Sequence, residues 1–147
     1  MANDKQQSFS NHRRFFPLHH FFIAPLSIVF LIGCITVAFK SNWDFLEKAL
    51  ILILGVFVFI LPMLARIYGL KNQDRLIRLE MRQRYFELTG KSFIPLENQL
   101  SKGQIIALRF AGDDELIDLI EKTKNEKLSP KAMKQSIQQW KGDYWRV

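Results

Sequence analysis

The fold is decided by two stretches without ionisable side chains, FFIAPLSIVFLIGCITVAF (residues 21–39) and ALILILGVFVFILPMLA (residues 49–65). As a helix rising about 1.5 Å per residue, the first stretch spans roughly 28 Å, close to the hydrocarbon thickness of a bilayer. The second stretch is shorter, and Phe45 and Leu46 extend it to about 45–65. Helices that are apolar on every side need apolar surroundings on every side, and 147 residues cannot bury two of them in a soluble core. The sequence therefore predicts a transmembrane hairpin over residues 21–65.

The net charge of +7 is unevenly distributed along the chain. Positive residues precede the first span and follow the second, whereas the connection 40–48 has no net charge. Because cytoplasmic flanks collect Lys and Arg, this pattern predicts a multi-pass protein with both termini in the cytoplasm. The flanking cations are Lys5, Arg13, Arg14, Arg66, Lys71, Arg75, Arg78, Arg82, Arg84 and Lys91.

The second span continues into a basic helix. No helix stop occurs before Thr89-Gly90, so we expect one long helix from about Asn42 to Leu88, capped by Ser41 or Asn42. Residues 66–89 form its juxtamembrane part, in which Asp74/Arg78 and Glu80/Arg84 are spaced for i,i+4 ion pairs. Two rows of apolar residues run along this part: Ile67, Leu70, Ile77, Met81, Tyr85 and Leu88 in one, and Leu76, Leu79 and Phe86 in the other.

A cytoplasmic tail of three short helices is predicted over residues 101–141. Ser101 and Gln104 form a capping box, Gly112 or Asp113 caps the second helix, and Ser129-Pro130 begins the third. So few residues are near the limit for an independent core, and we expect the tail to pack on the juxtamembrane helix, another protomer or a partner. The predicted fold is all-α: a two-span transmembrane hairpin, a long juxtamembrane helix and this tail.

Within the first span, Gly33 and Cys34 are small residues that allow a second helix to approach closely. The preceding segment, residues 1–20, is predicted to be cytoplasmic or interfacial, and Pro17 and Pro25 limit how far the span extends backwards as a straight helix.

The candidate ligands for a metal ion or haem are His12, His19 and His20, because neutral imidazoles bind zinc, copper and haem iron. No cysteine or carboxylate lies at ligand spacing, and Pro17 interrupts the segment. We therefore expect interfacial residues and no cofactor, with a metal or haem protein as the least favoured alternative.

The patch QDRLIRLE (residues 73–80) is the best candidate for a specific contact. Asp74 interrupts an apolar stripe, which indicates a partner: either Arg78 in the same helix, or Arg13 or Arg14 arriving from the N-terminal segment of this or a neighbouring chain. The basic residues of this helix can also bind anionic lipid headgroups.

The motifs NHRR (11–14) with Pro17 and His19, QDRLIRLE (73–80), QIIALRFA (104–111) and WKGD (140–143) with Arg146 and Val147 resemble a family of small bacterial two-span membrane proteins of unknown function. The resemblance implies the two-span topology, a bacterial inner membrane and no transferable activity or cofactor. It also marks polar patches for interaction: Asn11, His12, Arg13, Arg14, Asp74, Arg75, Arg78, Glu80, Arg82, Arg109 and Trp140.

The sequence shows few features of other functional classes. It contains no phosphate-binding loop, nucleophile elbow or HExxH motif, so no enzyme is expected. Residues 101–147 are nearly balanced in charge and lack an aromatic-interleaved basic stripe, which argues against nucleic-acid binding. We expect a non-enzymatic accessory or scaffold subunit that contacts membrane lipid and other membrane subunits or further copies of itself. The alternative is a membrane-tethered module that binds anionic lipid or a soluble anionic partner through the basic helix.

Overall fold

The structure, a computed structural model, describes residues 7–12 and 16–143. Within them the fold is all-helical, as predicted, apart from an isolated bridge between Ala111 and Trp140. The helices are a π-helical segment Leu18–Ile23, α1 Ala24–Lys40, α2 Phe45–Thr89, α3 Ile94–Glu97, α4 Lys102–Leu108, α5 Leu116–Glu126 and α6 Pro130–Ser136. The described residues divide into a tail unit, residues 7–12 and 72–143, and an apolar unit, residues 16–71. Helix α2 contributes to both units.

The first helix of the apolar unit begins earlier than predicted. It runs through Pro25 and starts at Leu18 with a π-helical segment, in which the Ala24 N–H donates to the His19 carbonyl. Proline lacks an N–H and its ring clashes with the preceding turn, and a widened turn relieves both problems. Pro25 therefore marks the start of the regular α-helix, as expected, and the π-helical segment extends the helical run backwards to Leu18.

The two helices of the apolar unit approach each other closely at Gly55. Ser27, Cys34 and Ala38 are the buried residues of α1. A Cβ added at Gly55 would lie 2.9 Å from Cys34 Cβ and 3.2 Å from Leu31 Cδ1. Cys34 thus permits the close approach that the sequence predicts, whereas a Cβ at Gly33 would have no atom within 4 Å.

Helix α2 begins at Phe45, so neither Ser41 nor Asn42 is its N-cap. The Asp44 carbonyl accepts the Lys48 N–H at 3.1 Å, and the Asp44 N–H donates to Glu47 Oε2 at 3.2 Å. These two hydrogen bonds resemble part of a capping box. Glu47 in the first turn also interacts favourably with the helix dipole. The helix ends at Thr89, and Gly90 adopts the positive φ of 66° that favours glycine at a helix C-terminus. The predicted stop is confirmed.

The core of the tail unit forms around the C-terminal part of α2, so the tail packs on the juxtamembrane helix, the first of the three predicted alternatives. Ile77 and Met81 of α2 are buried against residues from the four short helices and the connections between them. The largest fully buried side chains include Phe93, Phe110, Leu108, Leu116, Ile120 and Met133. Helix α3 was not predicted from the sequence.

Two of the three predicted tail-helix starts are confirmed. Ser101 and Gln104 form the capping box of α4, and Ser129 caps α6 with Pro130 at its first position. Helix α5 begins at Leu116, after the predicted Gly112 or Asp113. The reason is that Glu115 accepts backbone N–H groups from Gly112 and from residues 138 and 139, which holds this segment outside the helix.

Candidate interaction surface

Arg78 and Arg82 lie one turn apart on α2, and both bind the carboxylate of Glu97 in α3. Arg78 Nε donates to Glu97 Oε1 at 2.5 Å, and Arg82 Nε donates to Glu97 Oε2 at 2.6 Å; Arg78 Nη2 also contacts Oε1. The Glu97 side chain is 4% exposed, whereas those of Arg78 and Arg82 are 48% and 38% exposed. These three residues form the Glu97 cluster, which fastens α3 to α2.

The Glu97 cluster keeps its carboxylate charged. The hydrogen bond from Arg82 is the main reason that the pKa of Glu97 lies below its ordinary value, and the hydrogen bond and charge of Arg78 lower it further. Burial opposes both effects because it penalises the charged form. The hydrogen bond to Glu97 also raises the pKa of Arg82.

Asp113, just before α5, receives two further cations. Arg84 Nε donates to Asp113 Oδ1 at 2.5 Å while Arg84 Nη2 donates to the Ala111 carbonyl at 2.6 Å. Lys141 Nζ lies 3.3 Å from Asp113 Oδ2. The hydrogen bond from Arg84 holds the pKa of Asp113 below its ordinary value, against the opposing effect of burial, and Lys141 adds to the lowering. These contacts join α2, the start of α5 and the C-terminal residues of the tail unit.

The ion pairs of α2 differ from the intrahelical pairs that the sequence predicts. Asp74 pairs with Lys102 at the start of α4, not with Arg78. Arg84 pairs with Asp113, not with Glu80. The i,i+4 spacing is correct for such pairs, but Lys102 and Asp113 of the tail bind Asp74 and Arg84 instead. The partner of Asp74 is therefore a tail lysine.

The N-terminal segment lies against the end of the tail. Gln7 Nε2 donates to the Asp143 carbonyl at 3.1 Å, and Gln7 Oε1 accepts the Asp143 N–H at 2.9 Å. The Gln7 side chain is buried, so both hydrogen bonds satisfy groups removed from water. Residues far apart in sequence thus meet in the tail unit.

His12 lies among three aromatic rings of the tail unit, with centroid distances of 5.8 Å to Phe9, 5.6 Å to Phe110 and 5.7 Å to Trp140. Its Nδ1 is 2.7 Å from the Phe9 carbonyl and its Nε2 is 3.3 Å from Lys134 Nζ. These contacts fit a neutral imidazole that donates from Nδ1 and accepts at Nε2. His12 therefore serves the packing of the N-terminal segment.

The other two histidines lie in the apolar unit. The rings of His19 and His20 are 5.1 Å apart, and His20 Nδ1 is 3.0 Å from the Phe16 carbonyl. Within residues 7–12 and 16–143, no three His, Cys, Asp or Glu side chains form a group that could hold a metal ion. The described side chains therefore offer no three-residue donor set for a metal ion.

Arg109 of QIIALRFA is buried, with a side chain only 7% exposed. Its Nε lies 3.4 Å from Asp143 Oδ2, and its guanidinium carbon lies 4.5 Å from the centroid of the Phe110 ring. The Phe110 ring in turn lies 5.1 Å from that of Trp140. Arg109 and Trp140 thus hold the same end of the tail unit that receives His12.

A groove of about 390 Å³ lies beside α2 in the tail unit. Its cations, Arg84, Arg109 and Lys141, already bind Asp113 or Asp143, while Glu80 and Glu87 are exposed at its edge. The edge is therefore suited to ionic contact with a cationic surface. The lining residues are Glu80, Met81, Gln83, Arg84, Glu87, Arg109, Lys141, Gly142 and Asp143.

The remaining residues that were predicted to interact lie as follows. Asn11 is exposed, and its Oδ1 accepts the Ser8 N–H at 2.6 Å within a turn. Arg75 and Glu80 are exposed on α2. Arg13 and Arg14 lie outside the described residues. Most of the described set therefore holds the tail unit together, and part of the α2 surface is left open.

Sequence reasoning missed the partners of these motifs, which are acidic, basic and amide side chains: Gln7, Glu97, Lys102, Asp113 and Lys134. One signal was available for Glu97. Arg78 and Arg82 are spaced to share a carboxylate, and Glu97 is the acidic residue that closes the segment SFIPLE (92–97).

The model of a protein family, described as a family of unknown function (DUF6526), matches residues 1–147. The chain belongs to this family. The resemblance to an uncharacterised family is thereby confirmed. No curated protein and no solved structure matches the chain. Membership of DUF6526 carries no activity, so the residues of the chain are the basis for its function.

Proposed function

We propose that the chain is a non-enzymatic, two-span integral membrane protein that serves as an accessory or scaffold subunit of a complex in the bacterial cytoplasmic membrane. Its partners are membrane lipid and other membrane subunits or further copies of the chain. In this proposal α1 and the first part of α2 form the transmembrane hairpin, and the tail unit is cytoplasmic.

The observation that carries the proposal is the exposure of the apolar helices. Two helical runs, Leu18–Lys40 and Phe45–Thr89, are long and apolar enough to cross a membrane, and most of their apolar stretches is not buried by the chain. Phe21, Phe39 and Phe45 are 73%, 82% and 87% exposed. Core helices of a soluble protein bury such side chains, whereas helices in lipid expose them.

The hydrogen bonds of the hydroxyl groups in α1 also support a lipid environment for this helix. Ser27 Oγ donates to the Ala24 carbonyl and Thr36 Oγ1 donates to the Ile32 carbonyl, both at 2.8 Å. In hydrocarbon every polar group needs an internal partner, and bonds of this kind supply one.

The scaffold role follows from how the motif residues are used. Arg78, Arg82, Arg84 and Arg109 contact carboxylates of the same chain, so they build a defined tail and do not converge on one reacting group. A rigid helical tail on a membrane anchor is suited to positioning other subunits.

The alternative, a module that binds anionic lipid through the basic helix, has less support. Arg78, Arg82 and Arg84 bind Glu97 and Asp113, whereas Lys71 and Arg75 are exposed and have no carboxylate partner among the described residues. Each such residue near a surface contributes about 1 kcal/mol of attraction to anionic lipid.

Fractionation tests the proposal. We expect the full chain to stay with membranes in alkaline carbonate and, after extraction in a mild detergent, to elute as a particle larger than one copy in its micelle. Release by carbonate, or elution as a single copy under the gentlest extraction, would contradict it.

A salt titration distinguishes the scaffold proposal from the alternative, a module that binds anionic lipid or an anionic partner. In the alternative, anionic lipid or an anionic partner binds through Lys71 and Arg75. That binding weakens as salt rises, because exposed charges are screened over about 10 Å at 0.1 M salt. We expect association to persist at high salt. The variant Lys71→Gln, which leaves Arg75 in place, should likewise leave it intact if the scaffold proposal is right and weaken it if the alternative is.

A further inference from the structure

The cytoplasmic part of α2 has an apolar row that the tail does not cover. Leu76, Leu79 and Phe86 are 57%, 58% and 59% exposed, although all three lie in the well-packed tail unit. The opposite side of the helix carries Ile77 and Met81, which are 4% and 1% exposed in the core. The exposed row is therefore a separate face of α2.

The row has the spacing of a coiled-coil seam. If Leu76 and Leu79 occupy the a and d positions of a heptad, Gln83 and Phe86 occupy the next a and d positions. Gln83 is exposed, with its amide Nε2 donating to Glu87 Oε1 at 2.8 Å. One polar residue at an a position is a known device for fixing register.

The charges beside the seam are sorted by sign. Both g positions are arginine, Arg75 and Arg82, and both e positions are glutamate, Glu80 and Glu87. In a parallel pair of helices each g residue faces the e residue five positions later in the partner, which matches Arg75 with Glu80 and Arg82 with Glu87. In an antiparallel pair g faces g and e faces e, so every flanking contact would join like charges.

We propose that this face, with Leu76, Leu79, Gln83 and Phe86 at its centre, binds the same face of a second copy of the chain as a parallel two-stranded coiled coil. The charge pattern is complementary to itself in that orientation alone, which selects a second copy over a different partner. Arg82 also binds Glu97 and keeps 38% of its side chain exposed for the contact across the dimer.

The inference rests on the proposed function in one respect. The seam is shorter than the roughly three heptads that sustain an isolated coiled coil. Confinement of two copies to one membrane raises their effective concentration, and insertion with the same orientation makes their α2 helices parallel. The proposed anchor thus supplies what the short seam lacks.

Cysteine cross-linking tests the dimer on the full chain in membranes. With Cys34→Ala as the background, Leu76→Cys, Leu79→Cys and Phe86→Cys each place a thiol on the seam. Leu88→Cys is the matched control, since Leu88 is 40% exposed but lies outside the seam. We expect disulfide-linked dimer at all three seam positions, about tenfold above the control, because facing seam residues come within the distance that a disulfide requires.

The three positions also test orientation. Leu76 and Phe86 lie about 15 Å apart along the helix, so an antiparallel pair cannot bring both into contact with their own copies. Cross-linking at one of them alone, at no more than the control level, or to a polypeptide of different mass would overturn the proposal.

A charge-reversal set tests the flanking pairs. In the Leu79→Cys background, Arg75→Glu or Glu80→Arg should each lower the cross-linked fraction several-fold, and the double variant should restore it. Positions 75 and 80 lie about 140° apart around one helix, so restoration cannot arise within a single chain. Failure of the double variant to restore cross-linking would contradict the proposed orientation.

Carbonate treatment of the same samples keeps the two proposals separate. A chain that stays in the membrane without seam cross-links refutes the dimer and leaves the anchor standing. A chain that is released from the membrane but still cross-links refutes the anchor and supports the self-complementary seam.

Discussion

At the scale of single residues, Glu97 shows how the basic motif of α2 is used. Its carboxylate is almost fully buried and receives hydrogen bonds from two arginines. A buried charge is tolerated when it is paired in this way, and removal of its charge leaves the donors without their acceptor.

We expect Glu97→Gln to destabilise the tail unit by about 1–3 kcal/mol, because a neutral amide cannot accept equally from two guanidinium groups. Urea unfolding of the full chain in mild detergent, followed by the loss of helical signal, measures the change. The control Glu126→Gln alters an exposed glutamate and should change stability by less than about 0.5 kcal/mol. Equal effects of the two substitutions would contradict a structural role for the cluster.

The stability of the tail unit should also depend on pH in the acidic range. The pKa values of Glu97 and Asp113 are both lower in the folded chain than their ordinary values. Their contribution is therefore complete above about pH 4.5, the unfolded-state pKa of glutamate and the higher of the two, and is lost as the pH falls through the folded-state values. The unfolding midpoint of the full chain should decrease below this pH, and Glu97→Gln should flatten the decrease. A midpoint that is constant down to pH 3 would contradict the account.

At the scale of elements, the contact between α1 and α2 depends on a missing side chain. A Cβ at Gly55 would meet Cys34 Cβ, which cannot swing aside because it is attached directly to the helix backbone. Small residues at such crossings let helices pack closely in lipid.

We expect Gly55→Ala to force the two helices apart and to destabilise the apolar unit by about 1–3 kcal/mol. Gly33→Ala is the matched control, since a Cβ there meets open space and a helical glycine replaced by alanine gains about 0.5–1 kcal/mol. Thermal denaturation of the purified protein in detergent compares the two. The contact is refuted if Gly55→Ala is as stable as Gly33→Ala.

The elements also show what the sequence could predict. Helix α2 and the starts of α4 and α6 follow from local signals: an uninterrupted helical pattern, a capping box and a Ser-Pro start. The predicted start of α5 was wrong because the Glu115 carboxylate accepts hydrogen bonds from the backbone N–H groups of residues 138 and 139. These residues lie more than twenty positions later in the chain, and local sequence signals do not contain such a contact.

Only the cations of the candidate interaction surface, and not their acceptors, were predictable from the sequence. The motifs that supply the cations, Arg78, Arg82 and Arg84, were recognised from their pattern. Their acceptors, Glu97 and Asp113, lie 15 to 29 residues away, and the pairing depends on how the tail folds back on α2. Intrahelical spacing therefore gave plausible but wrong pairs.

At the scale of the whole molecule, the chain combines a unit with exposed apolar helices and a unit whose charges are internally paired. In the proposed function, the first unit lies in lipid and the second is a structured cytoplasmic tail. Residues 7–12 belong to the tail unit through Gln7 and His12, so the chain ends on either side of the two apolar helices meet in one unit. In the proposed anchor, this shared unit places both flanks on the same side of the membrane.

The most direct test of this account is the labelling of single cysteines with a membrane-impermeant maleimide. In the Cys34→Ala background, Asn42→Cys lies in the loop between α1 and α2, whereas Ser10→Cys and Asn125→Cys lie in the tail unit, and all three positions are exposed. Intact spheroplasts should be labelled at Asn42→Cys alone, with Ser10→Cys and Asn125→Cys reacting only after permeabilisation. Labelling of Ser10→Cys and Asn125→Cys from opposite sides, or of all three without permeabilisation, would contradict the two-span anchor.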